Sequence, residues 1–326
     1  MATPHAFESL TPDFILAAID YCGYKTDGYL MALNSYENRV YQVGVEDAEP
    51  IIAKFYRPDR WCDEAIQEEH EYCIDLAFAE LPVVPPIRHS SGLTLHKKEG
   101  FRIAFFERKG GRAPELDKEE HLRTLGRFLG RIHAAGVGSV FMHRPSIANL
   151  DYARESIRVV QTAFIPNDLQ LAYGSLITDI EDALGNRLRE SSSCIEIKVH
   201  GDCHLGNILW RDNAPHFVDF DDARMGPSVQ DIWMLLSGDI EEQNTQLGWI
   251  LEGYSEFRDF DYREINLIEP LRSLRLIGYA AWIAKRWSDP AFPLAFPWFN
   301  TQAYWEKHVL ELREQLAALQ ESEFVV

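Results

Sequence analysis

Apolar positions recur with two different periods along this chain, and the change of period falls near its first third. Early on, the apolar runs are short and rich in β-branched and aromatic residues. Arg39 to Val45 and Pro50 to Tyr56 read as two strands joined by an acidic turn. Leu93 to His96 and Phe101 to Phe106 read as a second strand pair. Two helices separate these runs. Thr11-Pro12 is a helix start, with Thr as cap and Pro in the first turn, and Phe14, Ile15, Ala18 and Ile19 follow until a stop near Gly23. Asp63 can cap a second helix running to about Ala79, ended by Pro82, Pro85 and Pro86. Beyond Gly110-Gly111 the period is helical. Asp117 to Glu120 has capping-box spacing, and Leu122, Leu125, Leu129, Ile132 and His133 follow at helical intervals until Gly136. Further helices are expected over about 169–189, 229–236, 242–257, 263–287 and 301–320. The fold class this predicts is α+β. A small β-rich lobe over residues 1–109 precedes a large, mainly helical lobe over 110–326, joined near Glu107–Gly111.

Composition narrows the partners. A chain of 326 residues with 46% hydrophobic and 12% aromatic content can bury a large core. A net charge of −19 argues against nucleic acid and against anionic membrane surfaces, both of which need clustered Lys and Arg. No apolar run approaches the length of a membrane span. Met1 to Tyr21 lacks a basic start and is interrupted by Glu8, Asp13 and Asp20, so no secretory leader is expected. The five cysteines are odd in number and form no Cys-x-x-Cys pair, as suits reduced thiols. A cytoplasmic monomer is the resulting expectation.

The chemistry concentrates in His200-Gly201-Asp202-Cys203-His204-Leu205-Gly206-Asn207 and Asp219-Phe220-Asp221. Strand-like runs flank these residues at 195–199, 207–210 and 216–218. An aspartate, an asparagine five residues on and a second aspartate twelve further on have the polar spacing of a phosphoryl-transfer centre. In such a centre the first Asp, here Asp202, takes the proton of an acceptor hydroxyl. The Asn and second Asp, here Asn207 and Asp219, hold Mg²⁺ on the phosphates of ATP. Two other readings compete. His200, Asp202 and His204 suggest zinc, but Gly201 and Gly206 argue for a loop, where histidines four apart do not share a helix face. A solvated acidic turn explains each residue singly but not the spacing. Cys203 reads as an inert thiol rather than a redox group.

His-Gly-Asp-x-His-x-x-Asn followed by Val-Asp-Phe-Asp-Asp resembles the aminoglycoside phosphotransferase and choline kinase branch of the protein-kinase-like fold. Three further segments, at 33–41, Lys54-Phe55-Tyr56-Arg57-Pro58 and 286–293, are similar to the bacterial stress response kinase A group of that branch. The resemblance extends from about Phe7 to about Trp305. It implies a bilobal fold, ATP as co-substrate, Mg²⁺, and transfer to Ser or Thr hydroxyls of proteins, including the chain's own. Ser35 is one candidate acceptor there, and basic surroundings are expected for other acceptors.

The resemblance also implies site roles. Lys54 would meet the α- and β-phosphates from the third strand, paired with Glu68, Glu69 or Glu71. Counting back from Leu81-Pro82-Val83, as the family's helix is laid out, favours Glu69. Residues 33–41 would be the nucleotide-covering turn, with Ser35 at the phosphates, yet the segment has no glycine, so the loop's geometry stays open. Phe106 and Arg108 would lie at the adenine edge. Asp221 and Asp222 either extend the acidic site or form a solvated turn. Arg272, Arg275 and Arg286 either line an acceptor cleft or belong to an aromatic core. Two other functions stay in view: a small-molecule kinase acting on an amino alcohol, homoserine-like or sugar hydroxyl, and a non-catalytic nucleotide scaffold. Lys54, Asp202, Asn207 and Asp219 are all present, which argues against the scaffold.

Overall fold

A computed structural model describes residues 6–321 and Phe324. In chain order the elements are α1 Pro12–Tyr21, β1 Thr26–Ala32, β2 Arg39–Val45, β3 Ile51–Tyr56, α2 Asp63–Phe78, β4 His96–Lys98, β5 Phe101–Glu107, α3 Glu119–Gly136, α4 Leu150–Ala163 and α5 Gln170–Glu190. Then come β6 Ile197–Val199, β7 Ile208–Arg211, β8 Ala214–Phe217, β9 Arg224–Gly226, α6 Val229–Trp233, α7 Ile240–Tyr254, α8 Ile268–Lys285, α9 Ala291–Ala295 and α10 Gln302–Gln320. Two compact units result. One takes the chain up to Pro114 together with Phe141–Arg144 and Leu205–Asp222. The other comprises Glu115–Val140, Pro145–His204 and the chain from Ala223 on. A β-rich part and a larger helical part make the α+β class expected of the sequence. Among the described residues no helix is long and apolar enough to cross a membrane.

The first unit is built on an antiparallel sheet in the order β1-β2-β3-β5-β4. Alternation along β3 sends its side chains to opposite faces. Ile51, Ala53 and Phe55 join Ile103 and Phe105 in a core covered by Ile15, Ala18 and Ile19 of α1. Tyr56 faces the other way, into a cluster with Ile66 of α2, Leu95, Ala104 and Phe106. Lys54, opposite Ala104, lies on this second face. The unit also holds the β7–β8 hairpin, paired from Ile208↔Phe217 to Arg211↔Ala214. Its two-residue turn is Asp212-Asn213, with φ of 53° and 61°, the left-handed pair that a tight hairpin turn requires. Backbone bonds from Phe217 N to Pro82 O (2.8 Å) and from Val84 N to Phe217 O (3.2 Å) tie the hairpin to the segment after α2.

The second unit is helical, with one short ladder, β6 against β9. Helix α3 crosses α7 closely, and glycines permit it. A Cβ at Gly126 would stand 2.0 Å from the Ile250 carbonyl oxygen, and one at Gly130 would stand 2.6 Å from that of Tyr254. Leu122, Leu125, Leu129 and Ile132 bury the apolar stripe of α3, as its spacing predicts.

Several local expectations need correction. Asp63 does not cap α2: Cys62 does, its Sγ accepting the Ala65 N–H at 3.4 Å, while the Asp63 carboxylate is drawn to Lys97 and Arg102. Asp117 does not cap α3 either, since Lys118 holds the cap position without a side-chain bond. The capping box occurs at α7, where Asp239 and Glu242 each take the other's backbone N–H. The run at 263–287 is two elements, a 3₁₀ turn at Tyr262–Leu267 and then α8. Pro270 explains the break, because a residue without an N–H is tolerated only in a helix's first turn. The strand expected at 93–96 lies three residues later, as β4. Strand β1 was not anticipated; Gly28 (φ 87°) and a register shift between Thr26 and Leu30 interrupt its alternation. Helix α4 was missed as well.

Candidate active site

In the first unit the spacing between Asn207 and Asp219 becomes a hairpin. Asn207 immediately precedes β7, Asp219 follows β8 by two residues, and the Val218 N–H donates to the Asn207 carbonyl at 3.0 Å. Asn207 and Asp219 therefore stand at the same end of one hairpin. Asp219 has φ of 60°, an unusual conformation for a residue with a Cβ, tolerated best by Asn and Asp. Its side chain is half exposed and lies 2.9 Å from Lys54 Nζ.

Lys54 is almost fully buried and meets three carboxylates. Besides Asp219 they are Asp221 at 3.3 Å and Glu69 at 3.5 Å. Burial works against its charge, but Asp219, Asp221 and Glu69 together outweigh that and hold its pKa well above the ordinary lysine value. Glu69 is thus the partner on α2. Glu68 instead accepts from the backbone N–H groups of Met142 and His143, and Glu71 is exposed. Burial pushes the Glu69 carboxyl up, against Lys54 and Arg144. Arg144 has no counterpart in the sequence reading. Buried, it donates to Glu69 Oε2 (2.9 Å), to the Ala65 carbonyl (2.7 Å) and to the Asp221 carbonyl (2.8 Å), so it braces α2 against the Asp219 loop. No local pattern marks it, because its partners are far away in sequence.

Asp221 and Asp222 are not a solvated turn. Asp221 is buried, and the Arg60 guanidinium pairs with it and, at 2.7 Å, with Asp222. Burial opposes the charge of Asp221, but Arg60 and Lys54 outweigh it and keep the carboxyl below its usual range. Three cations, Lys54, Arg60 and Arg144, therefore face four carboxylates, Glu69, Asp219, Asp221 and Asp222, which leaves the cluster acidic. The group expected here is a hard cation with a nucleotide, and the donors fit it. The accessible ones are oxygens, from the Asp219 carboxylate and the Asn207 amide. Among the described residues no three His, Cys, Asp or Glu side chains converge as a metal cage, so such an ion would complete its shell with water and phosphate oxygens.

In the second unit Asp202 sits on a loop fixed from beneath by Asp231. That buried carboxylate accepts the backbone N–H groups of His200 (2.7 Å) and Gly201 (2.8 Å) and binds His133 Nε2 at 2.9 Å. Gln230 donates to the Gly201 carbonyl at 2.9 Å, and Gly201 has φ of 84°. Asp231 is a second residue the sequence did not reveal, although a lone acid in the apolar run at 229–233 is a usable signal. The Asp202 carboxylate meets Arg275 at 2.6 Å through Oδ1 and His204 at 3.3 Å through Oδ2. Of the three arginines expected at an acceptor cleft or in an aromatic core, Arg275 reaches Asp202. Arg272 pairs with Glu269, and Arg286 donates to the Trp282 carbonyl. Cys203 is fully buried, and burial pushes its thiol well up, leaving it inert.

The remaining candidates are placed as follows. Ser35 is half-buried in the segment joining β1 to β2. Phe106, on β5, shares the sheet face of Lys54 and stacks edge-on against His70 at 6.5 Å. The exposed Arg108 donates to the Gln42 side chain at 3.0 Å.

The support of Asp231 carries a pH signature. Glu264 accepts the Val229 N–H at 2.9 Å where α6 begins, and burial pushes its carboxyl up to about 7. The folded state then binds this proton more tightly than the unfolded chain does. Stability should fall as pH rises from about 4.5 to about 7. Glu264→Gln, which keeps an acceptor, is expected to stabilise the protein by about 1–3 kcal/mol at pH 8 and by little at pH 4. Thermal melts of both proteins at the two pH values check this; equal gains at both would exclude the titration.

Residues 30–268 match the family model described as "Phosphotransferase enzyme family". The chain is 45% identical over 316 residues to "Stress response kinase A" of Escherichia coli, covering 97% of this chain and 95% of that protein. It is 43% identical over the same length to "Serine/threonine protein kinase RdoA" of Salmonella typhimurium. Among solved structures, amicoumacin kinase hAmiN in complex with AMP-PNP, Ca²⁺ and Ami superposes with a TM-score of 0.74 over 95% of this chain and 93% of that one, at 18% identity. This last likeness concerns the fold.

Proposed function

The chain belongs to the phosphotransferase enzyme family and is a kinase, and from that premise we propose that it transfers the γ-phosphoryl group of ATP, with Mg²⁺, to serine and threonine hydroxyls of proteins. The observation that carries the phosphoryl chemistry is the buried Lys54, 2.9 Å from the half-exposed Asp219 and 3.5 Å from Glu69. Likeness over nearly the whole chain to a relative named as a serine/threonine protein kinase supports the protein acceptor.

In this reading residues 1–109 bind the nucleotide and 110–326 supply acceptor binding and catalysis. Lys54 places a point charge against the α- and β-phosphates, and Glu69, backed by Arg144, sets its direction. The turn with Ser35 covers the phosphates, and the backbone around Phe106 and Arg108 meets the adenine. Asn207 and Asp219 would hold the metal, which when bound would supply neutralisation of phosphate charge. Asp202 orients the acceptor hydroxyl and takes its proton as the oxygen bonds to the γ-phosphorus. The bond to the bridging oxygen breaks and ADP departs. Positioning and charge neutralisation supply most of the catalysis. The chain's own hydroxyls, Ser35 among them, are further acceptors. All five cysteines are free thiols, and we place the protein in the cytoplasm.

ADP release measured with a panel of denatured proteins and a panel of amino alcohols and sugars tests the acceptor class. Turnover with proteins is expected. Rapid turnover with the small alcohols alone, and no label on protein, would replace this reading with a small-molecule kinase.

A further inference from the structure

Residues 33–38 contain no glycine, and Arg57-Pro58, with Arg60 behind it, follows β3. A glycine-rich cover adapts to phosphates through its own flexibility. This turn is instead fastened by guanidinium groups. Arg57 Nε and Nη2 donate to the carbonyls of Glu37 (2.8 Å) and Tyr36 (3.1 Å), and its backbone N–H donates to the buried Asn38 side chain at 3.0 Å. Arg39 donates to the Tyr36 carbonyl at 3.0 Å. A segment held by so many charge-assisted bonds keeps one shape.

The same fastening continues toward Asp219. After Pro58, Asp59 takes φ of 63° and turns the chain back. Arg60 then forks across Asp221 and Asp222. The Glu37 carboxylate lies 3.2 Å from Arg57 Nε through one oxygen and 3.9 Å from Arg60 Nη1 through the other. Both arginine side chains are nearly buried, so these charges are only weakly screened by solvent. A continuous line of ionic contacts thus runs from the turn through Glu37 and Arg60 to the loop two residues beyond Asp219.

We propose that Arg57, Glu37 and Arg60 form a brace that couples the nucleotide-covering turn to the metal-holding loop, with Arg60 as its positioning residue. The brace rests on the reading that residues 33–38 cover the nucleotide and that Asp219 holds the ion. Its physical basis is shared ordering. A ligand that fixes the Asp219–Asp222 loop also fixes Arg60, hence Glu37 and the turn, so a second ligand on the turn has less left to order. A bidentate guanidinium suits this task and an ammonium does not, because only the planar fork spans two carboxylates at set angles.

The test measures binding, without acceptor and without turnover. Affinity for a non-hydrolysable ATP analogue is titrated at zero and at saturating Mg²⁺, and the ratio of the two dissociation constants is the coupling factor. That factor is expected to lie on the order of 10–100 for the native chain. Arg60→Lys and Glu37→Gln should each lower it several-fold, and the double variant should go no lower than the stronger single one, because both break one line of contacts. Should Arg60→Lys fail to fold, Glu37→Gln carries the test, since it leaves Arg60 on its two aspartates. A coupling factor unchanged in a variant that merely melts earlier would reduce the brace to a structural contact. Fully additive losses would show two separate effects and also overturn it. An absence of nucleotide binding by the native chain would overturn the reading of the site itself, and the brace with it.

Discussion

Asp202→Asn is expected to leave nucleotide binding intact and to lower turnover by about 10²–10⁴-fold, the range for loss of acid–base assistance. The fold should survive the change. The loop that carries residue 202 is held by backbone bonds to Asp231, and these do not involve the Asp202 carboxylate. The Arg275 contact is half exposed and contributes little to stability. An asparagine fills the same space but cannot accept the hydroxyl proton. Steady-state turnover beside an equilibrium nucleotide titration separates the two effects. Near-native turnover in this variant would remove Asp202 from the chemistry.

Asp219→Asn should abolish detectable transfer by a different route. The amide replaces the accessible carboxylate of the hairpin end, and with it the charge that a hard cation requires. Metal ions supply several kcal/mol of charge stabilisation to a transferring phosphoryl group, so about 10³-fold or more in rate is at stake. Structural collapse is not expected. Asn tolerates the left-handed backbone at this position, and Lys54 keeps Asp221 and Glu69 as partners. Asn207→Ala should weaken metal use less, because it removes a neutral ligand. Titration of Mg²⁺ against nucleotide affinity is the check, and an unchanged midpoint in Asp219→Asn would remove this residue from the metal site.

Much of this was legible in the sequence because the key groups are local. Asp202, Asn207 and Asp219 lie within eighteen residues, and the strand-like runs around them place all three at strand ends or in loops, although the pairing of the last two runs as a hairpin shows only in the structure. Lys54 was legible from the apolar strand on which it stands. Short β-branched and aromatic runs marked β2, β3 and β5, and helical spacing found α3. The residues that were missed act at long range. Arg144 meets Glu69 seventy-five positions away, and Asp231 reaches back to residues 200 and 201. Arg60 stands two residues beyond the Lys54 to Pro58 segment, and its partner Asp221 is 161 positions away, so no local pattern marks it. Helix caps failed for a related reason. Asp63 and Asp117 have the right chemistry, but an ion pair claims the first and the helix starts one turn residue late for the second. β1 was hidden by its register shift and by an exposed surface that weakens alternation.

The most direct measurement is phosphoamino-acid analysis after incubation of the purified protein and a protein acceptor with γ-labelled ATP and Mg²⁺. The native chain should place acid-stable label on phosphoserine and phosphothreonine, with ADP formed in equal amount, and Asp202→Asn should place almost none. Label confined to small alcohols, or equal labelling by the native and Asp202→Asn proteins, would contradict the account.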